Sequence, residues 1–380
     1  MPTSNRLVTR VGLTSPIIQG PFGGGYSTSD LVAAVSNAGG LGSFGAHHLG
    51  PDSILETAAA IRAQTSRPFA LNLWASNHDP GGASPDPDAV RRVHDRLRPY
   101  FAELGFEPPA PTARQVHDVE AQAWAVVEAR PAVFSVVFGV LSAEVIAACR
   151  RRGIAVVGAA TTVDEARVLE AAGVDAIVAS GFEAGGHRPS FLAAAEVSLH
   201  GTLALVPRIF DAVGVPVIAA GGIADARGVA AALALGAQAA QIGTAFLACD
   251  ESGAPAIHRA QLLDAGAGTT TVLSRVYTGR LARGIRNRLH DELQGTERLP
   301  YPAQGWVIGA LREAAIAQGR ADLISLWSGQ AAGGLTHRTA ADLMAALTAP
   351  PDTSDPAKAA RRPSRTIATT STDAPTPHHD

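Results

Sequence analysis

The sequence predicts an α/β protein: a (βα)8 TIM barrel with an inserted helical lid segment and a C-terminal helical extension. Three observations predict it. Short runs rich in β-branched and small apolar residues recur through the first 250 residues, each followed by an Ala-rich helical stretch, and such alternation builds a parallel sheet. There are eight runs with no two-half symmetry, which favours a closed barrel over an open doubly wound sheet. The last two runs end in glycine turns, where barrels commonly bind phosphate.

The elements follow in order. Run Pro16–Gly20 leads to a helix over Ser29–Ala38, started by Ser29-Asp30 and stopped by Gly39. Run Gly42–Ala46 leads to helix Pro51–Gln64, and run Phe69–Trp74 to a long departure, Ala75–Arg130. That departure opens with the loop-like HDPGGASPDPD and continues as amphipathic stretches Val90–Leu104 and Gln115–Glu128. On the C-terminal side of a barrel strand, such a segment is placed to be a lid. Runs Val133–Gly139, Ile154–Ala160, Asp175–Ser180 and Val215–Ala220 are followed by helices Ser142–Arg152, Val163–Ala172 (capped by Thr162), Leu203–Val213 and Asp225–Leu235. Gly153, Gly173 and Gly236 stop three of these, and Ala239–Ala245 is the eighth run. Beyond it Tyr301–Gly319, Ala321–Trp327 and Ala340–Leu347 read as helices. The expected organisation is a barrel over residues 1–335 carrying the insertion 75–130, a C-terminal helix over 336–349, and a Pro/Thr/Ser/Ala-rich disordered tail over 350–380.

Composition narrows the function. Of 380 residues, 46% are hydrophobic and 17% charged, enough to bury a large core. The net charge of −3, with no basic run before the last 30 residues, excludes nucleic acid or an anionic membrane as the main partner. The two cysteines, Cys149 and Cys249, make no disulfide framework and no zinc spacing, so no metal is expected. The N-terminus lacks an apolar signal-peptide core, and no apolar run is long enough to span a bilayer. A cytoplasmic protein is expected, and a homodimer is compatible with these features. The only lysine, Lys358, lies in the tail, which excludes Schiff-base chemistry, a P-loop lysine and a pyridoxal anchor.

Barrel sites lie at the C-terminal ends of the strands. Those positions are Gln19-Gly20, Ala46-His47-His48, Asn72, the loop Ser180–Arg188, Gly221-Gly222 and Gly243-Thr244. In AAGGIAD (219–225) and QIGTAF (241–246), glycines let phosphate approach backbone N–H groups, and the Thr244 hydroxyl adds a donor; tight strand-to-helix packing is the alternative. A GxGxxG at Gly40–Gly45 follows a helix and overlaps a strand, the wrong context for a dinucleotide loop. In GFEAGGHR, His187 stands beyond the sixth strand with a pKa suited to proton abstraction, and His47 and His48 compete for that role. Asn72 closes an apolar strand, either as a satisfied core amide or against a flavin or nucleotide edge.

Taken in order, PIIQGPFGG, the LNLW strand end, GFEAGGHR, VIAAGGIAD and QIGTAF resemble the nitronate monooxygenases, or 2-nitropropane dioxygenases, in their class I bacterial and fungal form. The resemblance runs from about residue 10 to 335 and takes in VEAQ…EARPAVFSVVFG, GRLARGIRNRL and LWSGQAAG. It implies an FMN-dependent barrel that oxidises alkyl nitronates such as propionate 3-nitronate with O2, giving a carbonyl product and nitrite. Electrons would pass singly to FMN, with no NAD(P)H and no metal. By position, Asn72, Ser180, Gly185, Gly221, Gly222, Gln241, Ile242, Gly243 and Thr244 would hold the flavin, His187 would be the catalytic base, and Tyr301 would face substrate. Three departures stand out: Ser180 where the family usually has Gln, Val137 where it often has His, and no lysine near Tyr301. An FMN-dependent NAD(P)H quinone or enoyl reductase on a related barrel is the alternative implication. A flavin- or phosphosugar-binding barrel without turnover is the third.

Overall fold

Strand alternation here produces a closed ring. The structure is a computed structural model describing residues 6–113, 115–264, 270–333 and 335–351. Eight strands run parallel: β1 (Ile17–Gln19), β2 (Gly42–Gly45), β3 (Phe69–Trp74), β4 (Val133–Val137), β5 (Ala155–Ala160), β6 (Ala176–Ser180), β8 (Val217–Ala220) and β9 (Ala239–Ile242). A separate antiparallel sheet joins β7 (Gly186–His187) to β11 (Ala282–Ile285) and β11 to β10 (Thr271–Ser274). The large sheet runs β1-β9-β8-β6-β5-β4-β3-β2. It closes where Ile18 pairs with Leu41; the Gln19 N–H donates to the Leu41 carbonyl, and the Leu41 N–H to that of Ile17, both at 2.9 Å. The fold is the TIM barrel that the sequence predicts.

Alternate residues face inward and outward. Ile18, Ala70, Val133, Val157, Val178 and Ile218 fill the inside of the barrel. Leu71, Phe134, Val156, Ile177 and Val217 pack outward against the helices. Helix Arg6–Val11 plugs the N-terminal end with Leu7 and Val11. No sequence signal had marked that helix.

The outer ring is Ser29–Asn37, Pro51–Gln64, Val119–Ala129, Ala143–Arg151, Val163–Ala172, Thr202–Ala212, Ala226–Ala234 and Ala340–Thr348. Two of these come from unexpected places. Within the 75–130 insertion, Val119–Ala129 packs on Pro51–Gln64 and is the third barrel helix. Ala340–Thr348 lies against the first and seventh helices and β1, with Leu343, Met344 and Leu347 buried in the outer core. It is therefore the eighth helix, so the barrel runs past residue 335 to its end.

The rest of the insertion and the excursion between β9 and that helix share a second core. Val93, Leu97 and Phe101 meet Leu289, Val307 and Leu311 there. The single helix expected over 90–104 is two, Pro87–Arg96 and Arg98–Glu103; Pro99 offers no N–H and breaks the run. Helix Ala303–Ala317 falls within its predicted span, whereas Ala321–Trp327 holds only a 3-10 turn, Ala321–Leu323. The tail from residue 352 lies outside the described residues. No helix among them is long and apolar enough to cross a membrane.

Candidate active site

Moving up by two residues from the apolar interior reaches the barrel mouth, and on four strands the inward residue there is polar. Asn72 follows Ala70, Ser135 follows Val133, Ser180 follows Val178, and Gln241 follows Ala239. The Asn72 Nδ2 donates to the Ser135 carbonyl at 3.2 Å and hydroxyl at 3.0 Å. Its Oδ1 has no partner among the described residues, so one edge of the amide is satisfied and the other is open. The same step of two carries β3 on to Trp74.

Trp74 is the centre of a box of rings. His47 stacks on it at 3.9 Å and 11°, Phe138 lies at 4.7 Å, His187 meets it edge-on at 5.0 Å, and Tyr301 at 5.3 Å. Trp327 adds a wall 5.4 Å from His187. Phe138 occupies the left-handed region at φ 63°, followed by Gly139 at φ 144°. A bulky residue there is strained, and the turn sets the ring beside Trp74.

His187 is carried on β7, in register with Ala282 of β11. Its Nε2 lies 2.9 Å from the Thr278 hydroxyl. Burial among the rings, and then the positive charge of Arg280, push its pKa down to about 3. It is a neutral imidazole at physiological pH, and a weaker base than the unperturbed ring that the sequence led one to expect. The two competing histidines are placed differently. His47 covers a face of Trp74 with Nδ1 buried and unpartnered, and burial holds its pKa well below 6.5. His48 is exposed and takes the Gly24 N–H on Nδ1 at 3.4 Å.

The cation of the site is Arg280. Its guanidinium lies 4.4 Å from the centre of the Phe138 ring and 4.5 Å from that of Tyr301. Nε and Nη2 donate to Asp79 Oδ1 at 3.0 and 2.8 Å, Nη1 to the Ser76 carbonyl at 2.9 Å, and Nη2 to the Ser76 hydroxyl at 3.0 Å. Four of its five N–H groups are thus used. The Asp79 N–H in turn donates to the Tyr301 carbonyl at 2.9 Å, so the first loop of the insertion roofs the site. An arginine thereby stands beside Tyr301, near which the sequence has no lysine. The other arginines near the mouth work elsewhere. Arg188 is buried and donates to the carbonyls of Ser180, Gly181 and Ser198. Arg283 donates to Phe182 and Thr271, and Arg286 pairs with Asp291 at the surface.

The glycines divide into two kinds. A Cβ on Gly185 would lie 2.6 Å from the Gly329 nitrogen, and one on Gly221 would lie 2.9 Å from the Thr202 hydroxyl, so both serve protein packing. At Gly243 the nearest atom to a Cβ would be a Phe22 ring carbon at 3.8 Å, and at Gly222 the Glu183 Cβ at 3.4 Å. Those two turns are open. Thr244 begins a helix, whose first N–H groups lack intrahelical acceptors; its hydroxyl accepts the Gly329 N–H at 2.8 Å. Ile242 faces the outer core, and its carbonyl takes the Gly20 N–H, so its side chain is not at the mouth. Open turns, a spare amide acceptor and inward Ser180 and Gln241 fit a phosphorylated flavin. Among the described residues no His, Cys, Asp and Glu cluster could hold a metal. The glycines of the GxGxxG serve packing: a Cβ on Gly42 would strike the Val32 carbonyl.

Sequence reasoning missed Trp74, Phe138, Thr278, Arg280 and Trp327. Trp74 was within reach, being two residues beyond Asn72. The others come from turns and from a hairpin that no local pattern ties to the barrel.

The family model for nitronate monooxygenase matches residues 5–350. A probable nitronate monooxygenase of Staphylococcus aureus is 38% identical over 333 residues, 87% of this chain and 92% of that protein. Among solved structures, a nitroalkane oxidase from Streptomyces ansochromogenes is similar at TM-score 0.81 and 37% identity, over 90% of this chain and 96% of that one. FabK from Thermotoga maritima is similar at TM-score 0.67 and 26% identity, over 90% and 94%. With the barrel, its mouth and these likenesses together, the chain belongs to the nitronate monooxygenase family and is an oxidoreductase of that family.

Proposed function

We propose that this chain binds FMN at the barrel mouth and uses it with O2 to oxidise alkyl nitronates, such as propionate 3-nitronate, to a carbonyl product and nitrite. The observation that carries the reading is a neutral imidazole, His187, edge-on to Trp74 at 5.0 Å, at the end of the barrel that also carries the open turns at Gly222 and Gly243. The similarity to nitronate monooxygenases and to a nitroalkane oxidase supports it.

Asn72, Ser180 and Gln241 would hold the flavin ring, and the turns at Gly222, Gly243 and Thr244 its phosphate. When bound, FMN supplies the electron acceptor that neither rings nor imidazole provide. The chain's own residues do the rest. Trp74, Tyr301 and Trp327 exclude water from the reacting centre, and Tyr301 faces the substrate. Arg280, its charge shared with Asp79, keeps one Nη1 N–H for an anion. His187 takes the α-proton when the substrate arrives as a neutral nitroalkane.

The test is an anaerobic absorbance titration of FMN-loaded protein, first with propionate 3-nitronate and then with NADH and NADPH. Loss of flavin absorbance with the nitronate and none with the nicotinamides is expected. Reduction by NAD(P)H alone overturns the reading and assigns the chain to the reductase alternative.

A further inference from the structure

We propose that Thr278 is a positioning residue: its hydroxyl holds His187 in the Nε2–H tautomer, making Nδ1 the atom that receives the substrate proton. The inference rests on the reading of His187 as a base, and adds which nitrogen acts and what decides it.

A count of protons decides the tautomer. The Thr278 hydroxyl has one hydrogen and two neighbours, the Arg280 carbonyl at 3.3 Å and the His187 Nε2 at 2.9 Å. A carbonyl can only accept. With the hydroxyl donating to Arg280, its oxygen is left to accept, so Nε2 must carry the ring proton. Nδ1 then holds the lone pair, and it has no hydrogen-bond partner among the described residues. In the opposite tautomer the Arg280 carbonyl loses that donor and Nδ1 carries the hydrogen. Such a ring could donate from Nδ1 but could not take a proton there. The hydrogen bond on one nitrogen decides what the other can do.

The fold makes the pairing rigid. His187 lies on β7 and Thr278 in the turn that joins β10 to β11, and the small sheet ties the two together through the His187–Ala282 register. The turn at Gly279, φ 87°, is wedged against residues 299–301, where a Cβ would lie 2.5 Å from the Leu299 carbonyl. Its carbonyl is also held by Arg275 at 2.8 Å. Thr278 is β-branched and restricted in rotamer. In the step itself the α-C–H bond breaks, its electron pair becomes the C=N bond of the nitronate, and the proton lands on Nδ1. The imidazolium keeps its Nε2–H on Thr278.

The test uses full-length Thr278→Val, Thr278→Ser and His187→Ala proteins. Histidine ring 15N NMR of flavin-free and FMN-loaded protein, assigned by the signal lost in His187→Ala, reads the tautomer directly. Wild type and Thr278→Ser should show Nε2–H; Thr278→Val should lose that preference. With FMN, Thr278→Val should lower kcat on a neutral nitroalkane by about 10- to 100-fold. KM and turnover of preformed nitronate should stay within about twofold, and Thr278→Ser should restore the rate. An Nδ1–H tautomer in wild type, or equal losses on both substrates, overturns the proposal. Undiminished nitroalkane turnover in His187→Ala instead overturns the base reading, leaving the NMR result to judge the tautomer lock alone.

Discussion

The Arg280 guanidinium lies over the Tyr301 ring at 4.5 Å, and the same group ties the hairpin to Asp79 in the roof. Its charge is also one cause of the lowered His187 pKa. Arg280→Met should therefore do two things: raise KM for an anionic nitronate by about tenfold, worth about 1.4 kcal/mol, and move the acid limb of kcat/KM for a neutral nitroalkane to higher pH. Arg280→Lys keeps the charge but loses the planar fork, so it should restore the limb more than the KM. Steady-state kinetics across pH checks both; an unmoved limb in Arg280→Met removes the arginine from control of His187.

His187→Ala should cut turnover of neutral nitroalkanes by about 10²–10⁴-fold. Preformed nitronate needs no proton removed, so its loss should be much smaller, and FMN should be retained. Paired assays on the two forms of one substrate decide this. Equal rates on both would take His187 out of the role of base.

Gly243→Ala separates fold from cofactor. Without ligand the added methyl has ordinary contact at 3.8 Å, and φ at this position is −101°, so the flavin-free Tm should stay within about 2 °C, a ΔΔG below about 0.5 kcal/mol. Yet the methyl enters the proposed phosphate turn, and FMN affinity should fall about tenfold or more. Fluorescence titration with FMN, and with riboflavin as the phosphate-free control, reads the difference. A Gly243→Ala protein that binds FMN as wild type does would move the phosphate away from this turn.

Stability should fall in mild acid. In the folded chain burial lowers His187 to about 3 and His258 to about 4, and holds His47 well below 6.5. Between those values and about 6.5 the unfolded chain binds protons that the folded chain refuses, so stability is fully present above about 6.5 and is lost as pH falls. The slope is roughly 1.4 kcal/mol per pH unit for each such histidine. Urea midpoints at pH 7.5 and 5 should show the decrease, and His258→Phe should flatten it. A flat profile in wild type would mean that these rings are protonated in the native protein.

Much of this molecule is legible in its local pattern. Short apolar runs such as Phe69–Trp74 and its seven counterparts marked the strands, because a parallel strand buried on both faces reads as a continuous apolar run; which residues face inward was left to the closed ring. Asn72 and Ser180 at the mouth follow from the strand ends, as do the turns at Gly222 and Gly243, since backbone approach to a ligand is a local property of glycine; Gln241 came only from the family resemblance. Tertiary structure decided the rest. Helix Ala340–Thr348 closes the barrel only because the long excursion over residues 243–339 returns it to β1. His47 and His187 looked alike as candidates; stacking against Trp74 with an Nδ1 that has no partner among the described residues for the first, and the hydroxyl on the second, separate them. That hydroxyl, and the Arg280 charge, reach the site through the pairing of β7 with β11, about 95 positions apart in sequence. A hydrogen bond of this kind depends on two strands meeting in space, and neither strand carries a local signal that names the other.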